Sequence, residues 1–412
     1  MQNIDKYIIL KYALIAFPLS FAGLPIYLHA PDFYTSFLGL NIEIIGLSLL
    51  FLRFIDAVFD PIIGYVSDRY FIHRLKIIYI GVFFLISGFW MIFNPIFEIN
   101  YILWFCLSIF LCTFGYSILQ INVLAFGGLW NISKNQVTKV MSTREAIGLI
   151  GLLSASVLPT ILFYIFQEKS YNSIFMLLII FLFISLTLFI NWVKGAEITE
   201  PVKFIKPSLS LIFSTNKIKI FYFTYFFNTF ASSIPAALII FYVRDYLLAE
   251  SYLGLFLIIY FISGAISMPI WQKIAFNYTN IHSWAISMVF ALITFIWAFL
   301  LKPGDIYGFF AVCLFSGMSV GANLALPAAI IADFIKEKNN QVYAASYYSI
   351  TNFISKFSLA IATGISLPLL GFFGYVPGVQ ITGNLFPLIY AVFPCFILVF
   401  AIFFAIRLIA LK

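Results

Sequence analysis

The run RFIDAVFDPIIGYVSDRY, residues 53–70, places Arg53, Asp56, Asp60, Asp68 and Arg69 in an otherwise apolar stretch. Arg53, Asp56, Asp60 and Gly64 stand at i, i+3, i+7 and i+11, so a helix here carries all four on one face. Two carboxylates one turn apart repel, and a proton on one of them or a cation between them relieves the repulsion. Arg53 and the distant Lys356 would leave such a group nearly neutral, so one small cation gained or lost changes its balance. That chemistry suits ion coupling. The competing reading is a buried salt-bridge network that only pins two helices. Against it, an apolar core of equal volume is often no less stable. Nothing in the chain has the His-Cys-Asp spacing of a metal site or a nucleophile motif. The reading is therefore of a protein that is not an enzyme and uses no cofactor, with Na⁺ at Asp56 and Asp60 as the one metal to consider. Of His29, His73 and His282, all near span ends, His29 reads as an interfacial residue, with solute contact as the sharper alternative.

The solvent around these charges decides their meaning. The chain has 412 residues, is 63% hydrophobic and only 9% charged, and has a mean hydropathy of +1.06. A soluble domain could not cover that much apolar surface. Apolar runs of about 20 residues recur throughout, each long enough to cross about 30 Å of hydrocarbon as a helix. The expected class is an all-α polytopic membrane protein. Lys11 interrupts the first apolar run, which continues as a full span, so a cleaved signal peptide is not expected. The four cysteines lie within apolar runs and read as small core residues. A net charge of +7 is explained by loops that set topology and not by nucleic acid, so no nucleic-acid partner is expected.

Twelve spans are expected at 7–29, 42–67, 76–95, 99–127, 141–166, 172–194, 217–244, 252–273, 281–301, 306–333, 341–371 and 383–410. The longest polar stretch divides them into halves of six: 1–194, a cytoplasmic linker 195–216, and 217–412. With the N-terminus inside, cytoplasmic segments hold 18 of the 23 basic residues, Arg144 counted among them. This places both termini in the cytoplasm. GLPIYLHAPDFY resembles SIPAALIIFYVRDY, and FDPIIGYVSDRY resembles SMPIWQKIAFNY, with Asp60 opposite Met268. Repeated halves with a site between them suit a secondary transporter. Asp56 lies about 21 Å along its span at 1.5 Å per residue, and Lys356 is similarly deep in span eleven. Each mid-span charge costs at least roughly 3 kcal/mol against lipid, so this face must meet an internal hydrated cavity. Gly64, Asp68, Arg69 and Arg74 then fall in the turn to span three, where they could latch the inner face. A solvated loop ion pair is the plainer reading.

GYVSDRYFIHR is similar to the loop motif between the second and third helices of the major facilitator superfamily. RFIDAVFDPIIGYVSDR resembles helix two of its glycoside–pentoside–hexuronide:cation symporters, the melibiose-permease-like family. LPAAIIADFI, TNFISKFSLAIATGISLPLLGFFGYVPG and SMPIWQKIA resemble further elements of that family, so the likeness covers nearly the whole chain. The resemblance implies the major facilitator fold. It implies cation-site carboxylates at Asp56 and Asp60, a hydroxyl ligand at Ser117, the helix-eleven lysine at Lys356, and a solute-facing arginine at Arg144. There are departures. Phe59 stands where a family member has a cation-site asparagine. Gln120 and Ser20 stand where it has sugar-binding aspartates, and DFIKEKNNQ lacks the usual acidic run.

The expectation is cation-coupled symport of a small polar organic solute, sugar-like or other, by alternating access. Arg53, Gln120, Arg144 and Ser20 are the candidate solute contacts. An exporter or flippase of an amphiphilic compound is the alternative on the same fold, and a non-transporting sensor or scaffold is a third. The expected coupling ion is H⁺, with Na⁺ the alternative, because Phe59 makes the site drier and poorer in oxygens. The expected setting is a bacterial inner membrane, with the chain a monomer.

Overall fold

The computed structural model describes residues 4–96, 100–166, 170–199, 212–213, 215–337, 341–375, 378 and 383–411. Among them the architecture is helical throughout. The long helices are α1 (Lys6–Ala13, resumed as Ala16–Leu24), α2 (Ile42–Arg69), α3 (Arg74–Phe93), α4 (Tyr101–Leu129), α5 (Lys134–Phe166) and α6 (Ser170–Gly195). Then follow α7 (Asn216–Phe241), α8 (Leu253–Asn277), α9 (Asn280–Phe295), α10 (Ile306–Glu337), α11 (Ala344–Phe372) and α12 (Phe393–Ala410). Eleven of the twelve lie in segments long and apolar enough to cross a membrane. The twelfth, α2, is 28 residues long and is set apart by Arg53, Asp56 and Asp60. Many large side chains point outward, Phe83 at 67% exposure and Phe183 at 71% among them. Such a surface calls for lipid as solvent.

Side-chain caps fix several helix starts. Asn41 Oδ1 accepts from Glu43 N at 2.7 Å and Asn100 Oδ1 from Ile102 N at 2.9 Å. At α5 the cap corrects the sequence reading. Ser133 and Gln136 form a reciprocal capping box, Ser133 N donating to Gln136 Oε1 at 3.0 Å and Gln136 N to Ser133 Oγ at 3.4 Å. The helix therefore begins at Lys134, not at 141, and Arg144 sits ten residues inside it, buried at 2% exposure. Arg144 is therefore a buried helix residue and not a loop charge. Span one also differs from a single helix over 7–29. Pro18 and Pro25 interrupt it and a π-helical turn occupies Pro25–His29; beyond it the chain stays helical through Pro31 to a second π turn at Phe33–Phe37.

The described chain divides into two compact units. One comprises Met1–Pro207 with Ile331–Phe353, the other Ser208–Ile330 with Ile354–Lys412. The first is held by a core that includes Tyr12, Phe89, Phe105, Phe189 and Trp192. Its Glu197 and Thr199 hydrogen-bond the backbone after α4, Asn131 N to Glu197 O at 2.8 Å and Thr199 N to Leu129 O at 2.9 Å. Residues 200–211 of the expected linker lie outside the described residues. In the second unit Tyr242 stacks on Tyr390 with centroids 3.9 Å apart, and its hydroxyl donates to Ala298 O at 2.7 Å.

Candidate functional site

The charged face of α2 is buried in the first unit. Asp60 is fully buried and Asp56 is 4% exposed. Ser117 of α4 is also fully buried, and its Oγ donates to Asp56 Oδ1 at 3.1 Å. Asp56 and Asp60 are one turn apart on α2, so their carboxylates share one side of the helix. Pro61 follows at once. It has no N–H for the Ala57 carbonyl, which loosens α2 beside the acids. Phe59 turns to another neighbour: its ring meets Phe110 and Phe114 of α4 at 5.7 and 5.8 Å. Arg53 is half-buried, one turn before Asp56. Lys356 lies on the part of α11 that belongs to the second unit, where it is half-buried.

A second polar group joins α4 and α5. Arg144 Nη2 donates to Gln120 Oε1 at 2.5 Å, and Nη1 pairs with Glu145. Its Nε is buried and has no hydrogen-bond partner among the described residues. Buried donors rarely stay so, and this one is a ready contact for an acceptor atom. Ser20 of α1 lies against Gly148, one turn along α5 from Arg144. Gln120, Arg144 and the α5 turn beside Ser20 thus gather in one region, and Arg53 is placed with Asp56 instead.

The third group closes the end of α2. Asp68 is fully buried. Its Oδ1 accepts from Arg74 Nη2 at 2.9 Å and from Ala345 N at 2.9 Å, and Oδ2 accepts from Ser346 N at 2.7 Å. Ala345 and Ser346 open α11, so Asp68 caps that helix from across the unit and meets the positive end of its dipole. Gly64 permits the approach: a β-carbon there would stand 2.6 Å from Ser349 Cβ and 3.0 Å from Ala345 O. Arg74 also lies over Phe126, 5.7 Å from the ring centre. Arg69 is exposed and stacks on Tyr70. Lys134 Nζ reaches Glu337 Oε1 at 2.9 Å, and Lys336 Nζ donates to Ile132 O at 2.9 Å.

Sequence reasoning missed several of these partners. Glu145 is a carboxylate well inside a span and could have been found by the rule that singled out Asp56. Asn122, whose amide donates to Ser67 Oγ at 3.0 Å, carries no charge and gave no signal. In the second unit, Asn323 Oδ1 accepts from Asn228 at 3.3 Å and from the Trp284 indole at 3.1 Å, an uncharged cluster equally silent in sequence.

A family model described as MFS/sugar transport protein matches residues 11–411. A sodium-dependent lysophosphatidylcholine symporter 1-A of Danio rerio is 27% identical over 139 residues. That match spans 31% of this chain and 25% of the relative, so the chain aligns with about a quarter of that protein's length. Among solved structures, a bacterial homologue of the iron transporter ferroportin in an outward-facing state superposes with a TM-score of 0.77 at 15% identity, covering 99% of this chain and 100% of that one. The E. coli fucose:proton symporter gives 0.69 at 14% identity, with 98% of both chains covered. At such identities these likenesses speak for the fold.

Proposed function

The chain belongs to the MFS/sugar transport protein family of membrane transporters, and from that premise we propose that it is a cation-coupled symporter of a small polar organic solute. The observation that carries the proposal is the pair Asp56 and Asp60, buried one turn apart, with the Ser117 hydroxyl on Asp56. Two adjacent buried carboxylates favour one bound cation over none. Lys356 completes the proposed group by its depth in the sequence, balancing the acids when the cation leaves. Alternating access between the six-helix halves 1–194 and 217–412 would carry both ligands. The gradient supplies about 2.3 kcal/mol per charge per 100 mV.

The proposed ion is H⁺. Sodium wants a fuller oxygen shell than Asp56, Asp60 and Ser117 supply, and Phe59, whose ring packs on Phe110 and Phe114, adds no oxygen. The proposed solute contacts are Arg53, Gln120, Arg144 and Ser20, with the unpartnered Arg144 Nε foremost. Asp68, Arg74, Gly64 and Arg69 form the proposed inner latch: Asp68 holds the start of α11 in one state and releases it in another. The proposed setting is a bacterial inner membrane with both termini in the cytoplasm.

A second reading concerns the solute. Gln120 and Ser20 replace acids expected for a sugar, and the matched relative is named for a lysophospholipid. An amphiphile, imported or exported, fits these two facts. The test is uptake by proteoliposomes of labelled monosaccharides, disaccharides and lysophosphatidylcholine. A pH gradient with choline replacing Na⁺ is compared with a Na⁺ gradient containing a protonophore. Sugar accumulation driven by the pH gradient supports the first reading. Lysophosphatidylcholine movement alone selects the second, and uptake that needs Na⁺ and survives the protonophore overturns the choice of ion.

A further inference from the structure

The second unit contains an unusually close helix crossing. Gly317 and Gly321, four apart on α10, lie against the backbone of α8. A β-carbon would stand 2.4 Å from Tyr260 O at the first and 2.4 Å from Gly264 O at the second. Small residues at this spacing let two membrane helices touch along their backbones. Ser267 Oγ and Trp271 Nε1 both donate to Met318 O at 2.7 Å and fasten the crossing.

Beside the crossing the larger side chains splay and leave a groove of about 230 Å³, lined by Ile259, Ile262, Ile266, Ile270, Leu314 and Met318. Ser263 and Ser267 also border it, but their hydroxyls are spent on Tyr260 O at 2.9 Å and Met318 O. The wall is therefore hydrocarbon, and it is open to the bilayer: Ile266 is 69% exposed and Ile270 49%. From Ile259 to Ile270 the groove runs about 16 Å along α8. One leaflet of a hydrocarbon core is about 15 Å deep. The stripe Ile259, Ile262, Ile266, Ile270 continues at the same helical spacing to Lys273, which is exposed. Residues 271–283 contain no carboxylate to occupy it.

A one-leaflet hydrocarbon groove ending on a cation matches a single phospholipid in both length and charge. We propose that this groove holds one acyl chain of an anionic phospholipid, with the phosphate at Lys273. The site is separate from the α2 acids and does not depend on what the protein transports.

The test is native mass spectrometry of the purified full chain, incubated with phosphatidylglycerol or phosphatidylcholine. The wild type should retain one phosphatidylglycerol in preference to phosphatidylcholine. Lys273→Gln should weaken that retention about five-fold, the effect of roughly 1 kcal/mol for one lysine near a charged headgroup. Lys302→Gln should leave it unchanged. Ile266→Trp, which fills the groove, should reduce retention of both lipids, and Leu314→Phe fills it from α10 should that variant not fold. The proposal fails if the wild type shows no preference for phosphatidylglycerol, if Lys273→Gln behaves like Lys302→Gln, or if filling the groove changes nothing.

Discussion

Asp68 and Lys134 each stand in an ion pair, yet their surroundings give them very different weight. Asp68 and Arg74 are buried, and Asp68 also caps two amides of α11. Asp68→Ala strands a buried guanidinium and two helix-end N–H groups, a loss of about 3–5 kcal/mol. Lys134 and Glu337 are 58% and 38% exposed, and Lys134→Ala costs at most about 1 kcal/mol. Thermal unfolding of the purified variants checks the contrast: a large drop for the first and almost none for the second. Equal shifts would mean the cap contributes little. At this scale the sequence was legible for most charges set in the middle of an apolar run, because such a placement is costly and therefore conspicuous, although Glu145 escaped. Asp56, Asp60, Arg53 and Lys356 stood out for that reason. Asn122, Asn228 and Asn323 did not, since an uncharged amide fits a polar loop or a buried network equally well.

Gly64 and Ser349 set how near α2 and α11 can come within the first unit. Gly64→Val should push the two apart, tear Asp68 from Ala345 and Ser346, and lower both stability and transport. Adding Ser349→Gly removes the nearest clashing carbon and should restore part of the loss. A double variant no better than the single one would show that the contact is not what Gly64 serves. The elements themselves were readable from apolar length, and their ends were not. Hydropathy placed the start of α5 at 141, but the capping box of Ser133 and Gln136 draws the helix back to Lys134. The prolines of span one could have foretold its broken course, since each removes an N–H from the helical ladder.

Across the whole molecule, the twelve-helix plan followed from composition because lipid tolerates few other ways of satisfying a backbone. Orientation rests on lysine and arginine placement alone. Cysteines introduced at Tyr70 and Pro303, both exposed, should label from opposite faces of the membrane, Tyr70→Cys from the cytoplasm. Cys112, Cys313 and Cys395 are buried and Cys106 half-buried, so background labelling should be low. Labelling of both positions from outside would reverse the assignment.

The most direct test of ion coupling is accumulation by proteoliposomes of the solute found in the uptake screen, comparing wild type with Asp60→Asn. Asparagine keeps the shape of the side chain and removes its charge, so the protein should insert and still equilibrate solute across the membrane. The wild type should concentrate solute inside under an imposed pH gradient, and Asp60→Asn should stop at the outside concentration. If Asp60→Asn concentrates solute as well as the wild type, the acids of α2 are only a salt-bridge network and the coupling account is wrong.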